Sequence, residues 1–454
     1  MSAGNSAAPS VASAGSLRTE NNLICTFCGC LCDDISVDID DGNGESDSSG
    51  AQKTPEIVKI RGACSNGRTM FENYHLGSKL PRLDGRDVSW DEAVKAAGDI
   101  LRRARSPLIY GFSSSSSEAQ RTAVHLGEII GATMDTTGSV CHGPTGLAMQ
   151  AVGESTCTLG EVKNRSDLLV FWGCNPMAAH SRHFNRYSLI PKGKYVPGGR
   201  NDRKMIVVDV RPTSSAKSAG IFLQVEQGSD YEVLHSMRYI LKGGKLRSAV
   251  GGVSPERLEE IVAMMKSCRY GTAFMGMGLT MTRGRDMNVR EIFSLVTDLN
   301  AFTRFSVIPM RGHGNVTGAD QVLTWLTGFP FAVNMSRGYA RYGPGEYTAV
   351  DVLARRETDA AVILSSDPGA HFPKRAVDFM EKIPTIVIDP EESLSVPLAK
   401  IWFPVSKCGI DSGGTCYRMD TIPLYARAFV PARRPSDDEL LHRLIEEVRN
   451  EPGR

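Results

Sequence analysis

No stretch of about eighteen consecutive apolar residues occurs, so a membrane-spanning helix is not expected. Charge of one sign is also missing: 52 Lys+Arg against 51 Asp+Glu leave a formal net charge of +1. Nothing in that balance draws the chain to a nucleic-acid backbone, and no acidic excess suggests disorder. The phosphate-loop pattern G-x-x-x-x-G-K-[ST] is absent, which argues against a phosphate-loop NTPase, and Gly276-Met277-Gly278 lacks the third glycine of a dinucleotide fingerprint. The first 22 residues are small and polar, without a cationic start or an apolar core; they read as a disordered tail rather than a secretory signal. What remains is an ordinary globular composition, 41% hydrophobic over 454 residues. That length suits about three domains with sizeable cores.

Cysteine is the residue whose distribution is uneven. There are 11, an odd number without a leader, which argues for reduced thiols in a cytoplasmic protein rather than a disulfide framework. Cys25, Cys28 and Cys32 form C-x2-C-x3-C, and a fourth candidate, Cys64, follows in Arg61-Gly62-Ala63-Cys64. Four thiolates at short spacing suit a [4Fe–4S] cube, one sulfur per iron. Ile35–Ile39 alternates as a strand and Ile57–Ile60 reads as its return, a hairpin that brings Cys64 back to the other three. A four-cysteine zinc site competes, although the second C-x2-C unit usual there is missing. Packing cysteines are the third reading, and Cys30 has no assigned role.

A second candidate is Cys141-His142 in the glycine-rich run Gly138-Ser139-Val140-Cys141-His142-Gly143-Pro144. Such a loop lets the backbone approach a ligand closely. A Cys–His nucleophilic pair, a single thiolate ligand to a soft metal with histidine beside it, and a merely buried cysteine all remain open.

From residue 90 onward the grammar is that of parallel sheets covered by helices. Near-continuous apolar runs (Pro107–Phe112, Leu168–Trp172, Met205–Val210, Thr272–Met275, Ala361–Leu364, Ile386–Ile388) each end in Gly, Asn, Asp or Ser. Ligands of such sheets sit outside the carboxyl ends of the strands. Asp209 with Arg211 could hold a purine or ribose edge, or Asp209 could simply cap a helix. Arg311 in Met310-Arg311-Gly312-His313-Gly314 could bind a carboxylate bidentately, or be a solvated loop charge.

The strings Cys-Leu-Cys-Asp-Asp-Ile, Val-Cys-His-Gly-Pro, Trp-Gly-Cys-Asn-Pro, Gly-Met-Gly-Leu-Thr, Met-Arg-Gly-His-Gly-Asn-Val and Gly-Ile-Asp-Ser-Gly-Gly-Thr-Cys-Tyr-Arg-Met-Asp resemble the B-type component of formylmethanofuran dehydrogenase, in the tungsten/molybdenum bis-pterin oxidoreductases, across roughly residues 23–430. The resemblance implies an α/β molybdopterin oxidoreductase-like fold. A tail (1–22) would precede an iron–sulfur domain (23–80), two interleaved α/β domains (81–430), and a C-terminal helix and tail (431–454). It implies that Cys25, Cys28, Cys32 and Cys64 hold a [4Fe–4S] cluster. Cys141 would ligate tungsten or molybdenum carried by two molybdopterin guanine dinucleotides, and His142 and Arg311 would line the site where carbon dioxide and formate interconvert. Gly173, Cys174, Asn175, Asp209, Arg211, Gly276, Gly278 and Asp367 would face the pterins. The family's C-terminal barrel finds no room in the 34 residues after Asp420. A small barrel-domain subunit is therefore expected as an obligate partner, alongside an amidohydrolase-like subunit and formyltransferase or ferredoxin-type subunits. A redox-silent structural subunit of a bacterial formyltransferase/hydrolase complex is the alternative that the same resemblance implies.

Overall fold

The computed structural model describes residues 17–41, 55–74, 78 and 80–450. Strands β1 (Leu17–Leu23), β2 (Ile35–Asp40) and β3 (Glu56–Arg61) form an antiparallel sheet in the order β1-β2-β3. Residues 17–22, expected in the tail, instead make up most of β1, a correction with a plain cause. LRTENNL buries only Leu23, so hydropathy carries no strand signal. The strand is held by its ladder to β2, by Thr19 Oγ1 donating to Asp38 at 2.8 Å and by the Arg18–Asp41 ion pair at 2.7 Å. Residues 1–16 and most of the 40–54 loop lie outside the described residues.

The remaining strands are β4 (Arg82–Leu83), β5 (Arg86–Asp87), β6 (Pro107–Gly111), β7 (Thr133–Thr136), β8 (Leu168–Trp172), β9 (Lys204–Asp209), β10 (Ile221–Gln224), β11 (Tyr270–Met275), β12 (Arg304–Pro309), β13 (Val333–Asn334), β14 (Arg341–Tyr342), β15 (Ala360–Leu364), β16 (Thr385–Ile388), β17 (Ile401–Phe403), β18 (Gly414–Tyr417) and β19 (Pro423–Ala426). One sheet has the order β10-β9-β8-β11-β12 and is parallel throughout. The other has the order β14-β13-β7-β6-β15-β16-β17-β4-β5, parallel across its central five strands and antiparallel at both edges. The chain leaves the second sheet after β7, builds the first, and returns at β13. Covered on both faces, strands such as β6, β8 and β15 are buried at every position, which is why they read as unbroken apolar runs.

The helix Asp437–Arg449 packs Leu440, Leu441, Leu444 and Ile445 into the core beneath the larger sheet. Its first residue, Asp437, is buried against the Ser115 hydroxyl, and burial pushes its carboxyl up to about 6. The folded chain thus keeps this proton over a range where the unfolded chain has lost it. The stability it contributes is full below about pH 4 and lost as pH rises through 6. Asp437→Asn is therefore expected to gain roughly 2 kcal/mol on the wild type between pH 4 and pH 7, read from apparent melting midpoints at the two pH values.

Candidate functional site

In each parallel sheet the strand order reverses once, between β6 and β15 and between β8 and β11. Ligand crevices of open α/β sheets lie at such points, beyond the carboxyl ends of the strands. Backbone strain gathers at the same ends: Phe112, Ser114, Asn315 and Ser365 all have positive φ without being glycine. Between these loops opens a cleft of about 720 Å³, lined among others by Cys28, Ser113, His313, Ser366, Asp367 and Asp389.

The four cysteines nominated from spacing come together. Cys25, Cys28, Cys32 and Cys64 line one small cavity, with His180 and Arg182 on its wall. The antiparallel β2–β3 pairing brings Cys64 back, and it sits just before the helix Ser65–Glu72. Gly67, on that helix's first turn, leaves room for sulfur: a Cβ there would lie 2.9 Å from Cys25 Sγ. Burial pushes the Cys25 thiol well up and that of Cys32 up to about 12, the latter opposed by the Arg182 and Arg186 charges. Arg182 is itself fixed by a two-pronged contact with Asp34 at 2.5 and 2.7 Å. Positive charge brought against thiols so buried favours their thiolate form. Among the described residues, no group of three or more His, Cys, Asp or Glu side chains is arranged to hold a metal ion. Four thiols lining one cavity are the donor set of a [4Fe–4S] cube, and also that of a four-cysteine zinc site. Cys30 also lines the cavity, its thiol against that of Cys28.

The cysteine loop is joined directly to the loop after β12. Cys28 and His313 form an antiparallel bridge, Gly29 N–H donates to Gly312 O at 3.1 Å, and Gly314 N–H donates to Phe27 O at 3.2 Å. The approach is so close that a Cβ on Gly29 would lie 2.3 Å from Arg311 O. His180 spans the two features, lining the cavity while its Nε2 meets Arg311 O at 2.8 Å.

Arg311, Cys141 and His142 converge. The Cys141 and His142 amides donate to Gly138 O at 3.0 and 2.8 Å, and Thr280 Oγ1 donates to Cys141 O at 2.8 Å. Burial pushes the Cys141 thiol up to about 11, opposed by the Arg311 charge and the Gly312 amide. His142 opens the helix Gly143–Val152, with Nδ1 3.1 Å from Thr145 Oγ1. Its Nε2 is enclosed beside the Met310 backbone with no well-formed hydrogen bond. Burial and the Arg311 charge push the ring down to about 3, so it is neutral across the ordinary pH range. The residue that sequence reasoning missed here is Asp320, whose Oδ2 lies 2.8 Å from Arg311 Nη1. Being the one charged side chain in the helix Val316–Thr327 was its only signal.

The residues nominated for pterin contact divide. Asp367 lines the cleft. Gly173, Gly276 and Gly278 pack against one another: a Cβ on Gly278 would lie 2.8 Å from Gly173 Cα, and one on Gly276 would lie 2.5 Å from Cys174 Cβ. Their glycine character is accounted for by the meeting of two strand ends. Cys174 is buried, its thiol directed at Phe274 O, whereas Asp209 is half-buried and Arg211 exposed. Asn175 accepts from Ser215 Oγ at 2.6 Å, and Asp367 accepts from Ser395 Oγ at 2.7 Å. These two contacts belong to a repeat. Gly173 N–H donates to Val208 O at 2.9 Å and Ser365 N–H to Ile388 O at 2.8 Å, both residues at positive φ. Asp209 and Asp389 then stand at equivalent strand ends, each six residues before the matching serine. Asp389 was not nominated by itself, although the strand end it marks was among those expected to face a ligand. The recurrence of Asn-Pro and Asp-Pro after apolar strands was the available signal.

No family model matches the chain. Its fold is that of the crystal structure of the formyltransferase/hydrolase complex from Methylorubrum extorquens with methylofuran (TM-score 0.68, 21% identity, 81% of this chain and 98% of that one). It is also that of acetylene hydratase from Pelobacter acetylenicus (TM-score 0.66, 12% identity, 94% of this chain and 69% of that one). Together they define a molybdopterin oxidoreductase-like fold. Sequence is more specific: the chain is 44% identical over 444 residues to the B-type component of the tungsten-containing formylmethanofuran dehydrogenase 2 of Methanocaldococcus jannaschii, covering 95% of this chain and 99% of that protein. The chain belongs to the family of formylmethanofuran dehydrogenase B-type components. Among the described residues, no helix is long and apolar enough to cross a membrane.

Proposed function

We propose that the chain is the redox-active subunit of a formylmethanofuran dehydrogenase-type complex, interconverting carbon dioxide and formate. The observation that carries this reading is the backbone junction between the cysteine loop and the Arg311 loop. It puts a four-thiol cavity beside a thiol, a neutral imidazole and a guanidinium. Cys25, Cys28, Cys32 and Cys64 would hold a [4Fe–4S] cluster, and Cys141 would hold tungsten or molybdenum. The twice-repeated strand-end loops suit two like ligands, one per sheet, as a bis(molybdopterin guanine dinucleotide) would be. When bound, these groups supply a two-electron step at the metal and one-electron passage at the cluster. Arg311 orients a carboxylate through charge-assisted hydrogen bonds, and the neutral His142 presents Nε2 as a fixed hydrogen-bonding group beside it. A small barrel-domain subunit, an amidohydrolase-like subunit, and formyltransferase or ferredoxin-type subunits would complete the complex.

Metal analysis of the anaerobically purified complex tests the proposal. About four irons and one tungsten or molybdenum per chain are expected, with broad iron–sulfur absorbance. Iron below about one per chain, with neither heavy metal, would leave the chain a structural subunit of a hydrolytic complex.

A further inference from the structure

Arg311 is buried, with only 7% of its surface exposed, and a guanidinium cannot shed its proton. A cation in that position needs a partner, because an uncompensated buried charge is costly. Two carboxyl groups face it. Glu154 is pushed up to about 7 by burial, with one oxygen lacking a hydrogen-bond partner. Asp320 is the one in contact, its Oδ2 2.8 Å from Nη1 as a charge contact rather than a well-aligned hydrogen bond; burial raises its carboxyl as well, opposed first by the Arg311 charge and then by the Thr136 hydroxyl. The surroundings are built to keep it there. Thr136 Oγ1 donates to Asp320 Oδ1 at 2.7 Å, and the carboxylate occupies space that only a glycine at 138 leaves open, since a Cβ there would lie 2.5 Å from Oδ1.

We propose that Asp320 is the counter-charge that stops Arg311 from trapping small anions, setting the balance between a neutral ligand, carbon dioxide, and an anionic one, formate. The inference rests on the reading of Arg311 as the carboxylate-binding group. With Asp320 ionised, the pair is neutral overall, and an arriving formate gains hydrogen bonds but little net Coulomb energy. Without that charge, a full positive charge in a poorly solvated site draws formate in and holds it. A merely bracing role for Asp320 predicts the reverse: a loosened Thr136–Gly138 segment and a displaced Arg311 bind formate more weakly. The sign of the change separates the two.

The experiment is a 13C-formate line-broadening titration of the assembled, anaerobic complex without an electron acceptor, beside steady-state formate oxidation. Asp320→Asn is expected to tighten formate binding about tenfold or more. KM and kcat are expected to fall together as formate is held in the site. Arg311→Met is the control, expected to lose saturable formate binding. If Arg311→Met binds formate like the wild type, the reading of Arg311 fails and takes this proposal with it. If Arg311→Met loses binding while Asp320→Asn binds formate equally or more weakly, the counter-charge role alone is overturned. Should Asp320→Asn not assemble, Asp320→Ser is read in the same titration. Failure of both to assemble would assign Asp320 to holding the fold and overturn the proposal.

Discussion

Cys141→Ser is expected to abolish formate-linked dye reduction, by a factor of about a thousand or more, while the complex still assembles with its iron. The two halves of that expectation have separate causes. Serine is nearly the size of cysteine, and the loop is positioned through main-chain atoms: the amides of residues 141 and 142 on Gly138 O, and the carbonyl of residue 141 on Thr280. None of those contacts uses the sulfur. A hydroxyl, however, is a hard donor that stays protonated, a poor ligand for a soft metal. The geometry around the thiol, rather than the substitution, argues against the nucleophile reading of the Cys–His pair. Burial pushes the thiol up to about 11, and the neighbouring ring is directed at Thr145 through Nδ1, so nothing nearby generates a free thiolate at neutral pH. Dye reduction equal to that of the wild type would remove Cys141 from the metal site. Loss of iron together with activity would show instead that the loop supports the cluster cavity.

What could be seen in the sequence, and what could not, follows from the range over which each feature is encoded. The strands that end at the site were legible because both faces are covered: Leu168–Trp172 and Ala360–Leu364 need apolar residues at every position, and a glycine or a serine marks where each stops. The four cysteines that line the cavity were legible because a soft-ligand site needs a fixed residue type at short spacing. Asp320 was not, because its role is defined by a partner nine residues earlier in the chain and a third loop near residue 138, with no local pattern to announce it. The glycines at 173, 276 and 278 were legible as positions of close approach, yet the sequence does not say what approaches. The structure answers with each other's backbone. Strand β1 was hidden for the opposite reason: hydrogen bonds and ion pairs hold it, and a hydropathy pattern records neither.

Gly314→Ala is expected to cost the protein its cluster cavity and its Arg311 geometry at once, whereas Gly312→Ala, two residues away, is expected to retain both iron and fold. At 314 a Cβ would lie 1.7 Å from Thr26 O, a backbone atom that cannot swing aside as a side-chain end can. At 312 a Cβ meets nothing within 4 Å. Relief at 314 requires the 26–29 and 311–314 segments to separate, which breaks the Gly314–Phe27 and Gly29–Gly312 hydrogen bonds and the bridge between Cys28 and His313. Overpacking with those lost contacts amounts to about 3 kcal/mol or more, concentrated where Cys28 enters the cavity. The measurement is iron per chain and visible absorbance of the anaerobic complex for both variants, with the apparent melting midpoint alongside. Iron should fall by at least about half in Gly314→Ala and stay at the wild-type level in Gly312→Ala. Wild-type iron and absorbance in Gly314→Ala would mean that the two loops are not clamped. The short path between the thiol cavity and Arg311, on which the proposed electron transfer rests, would then lose its structural basis.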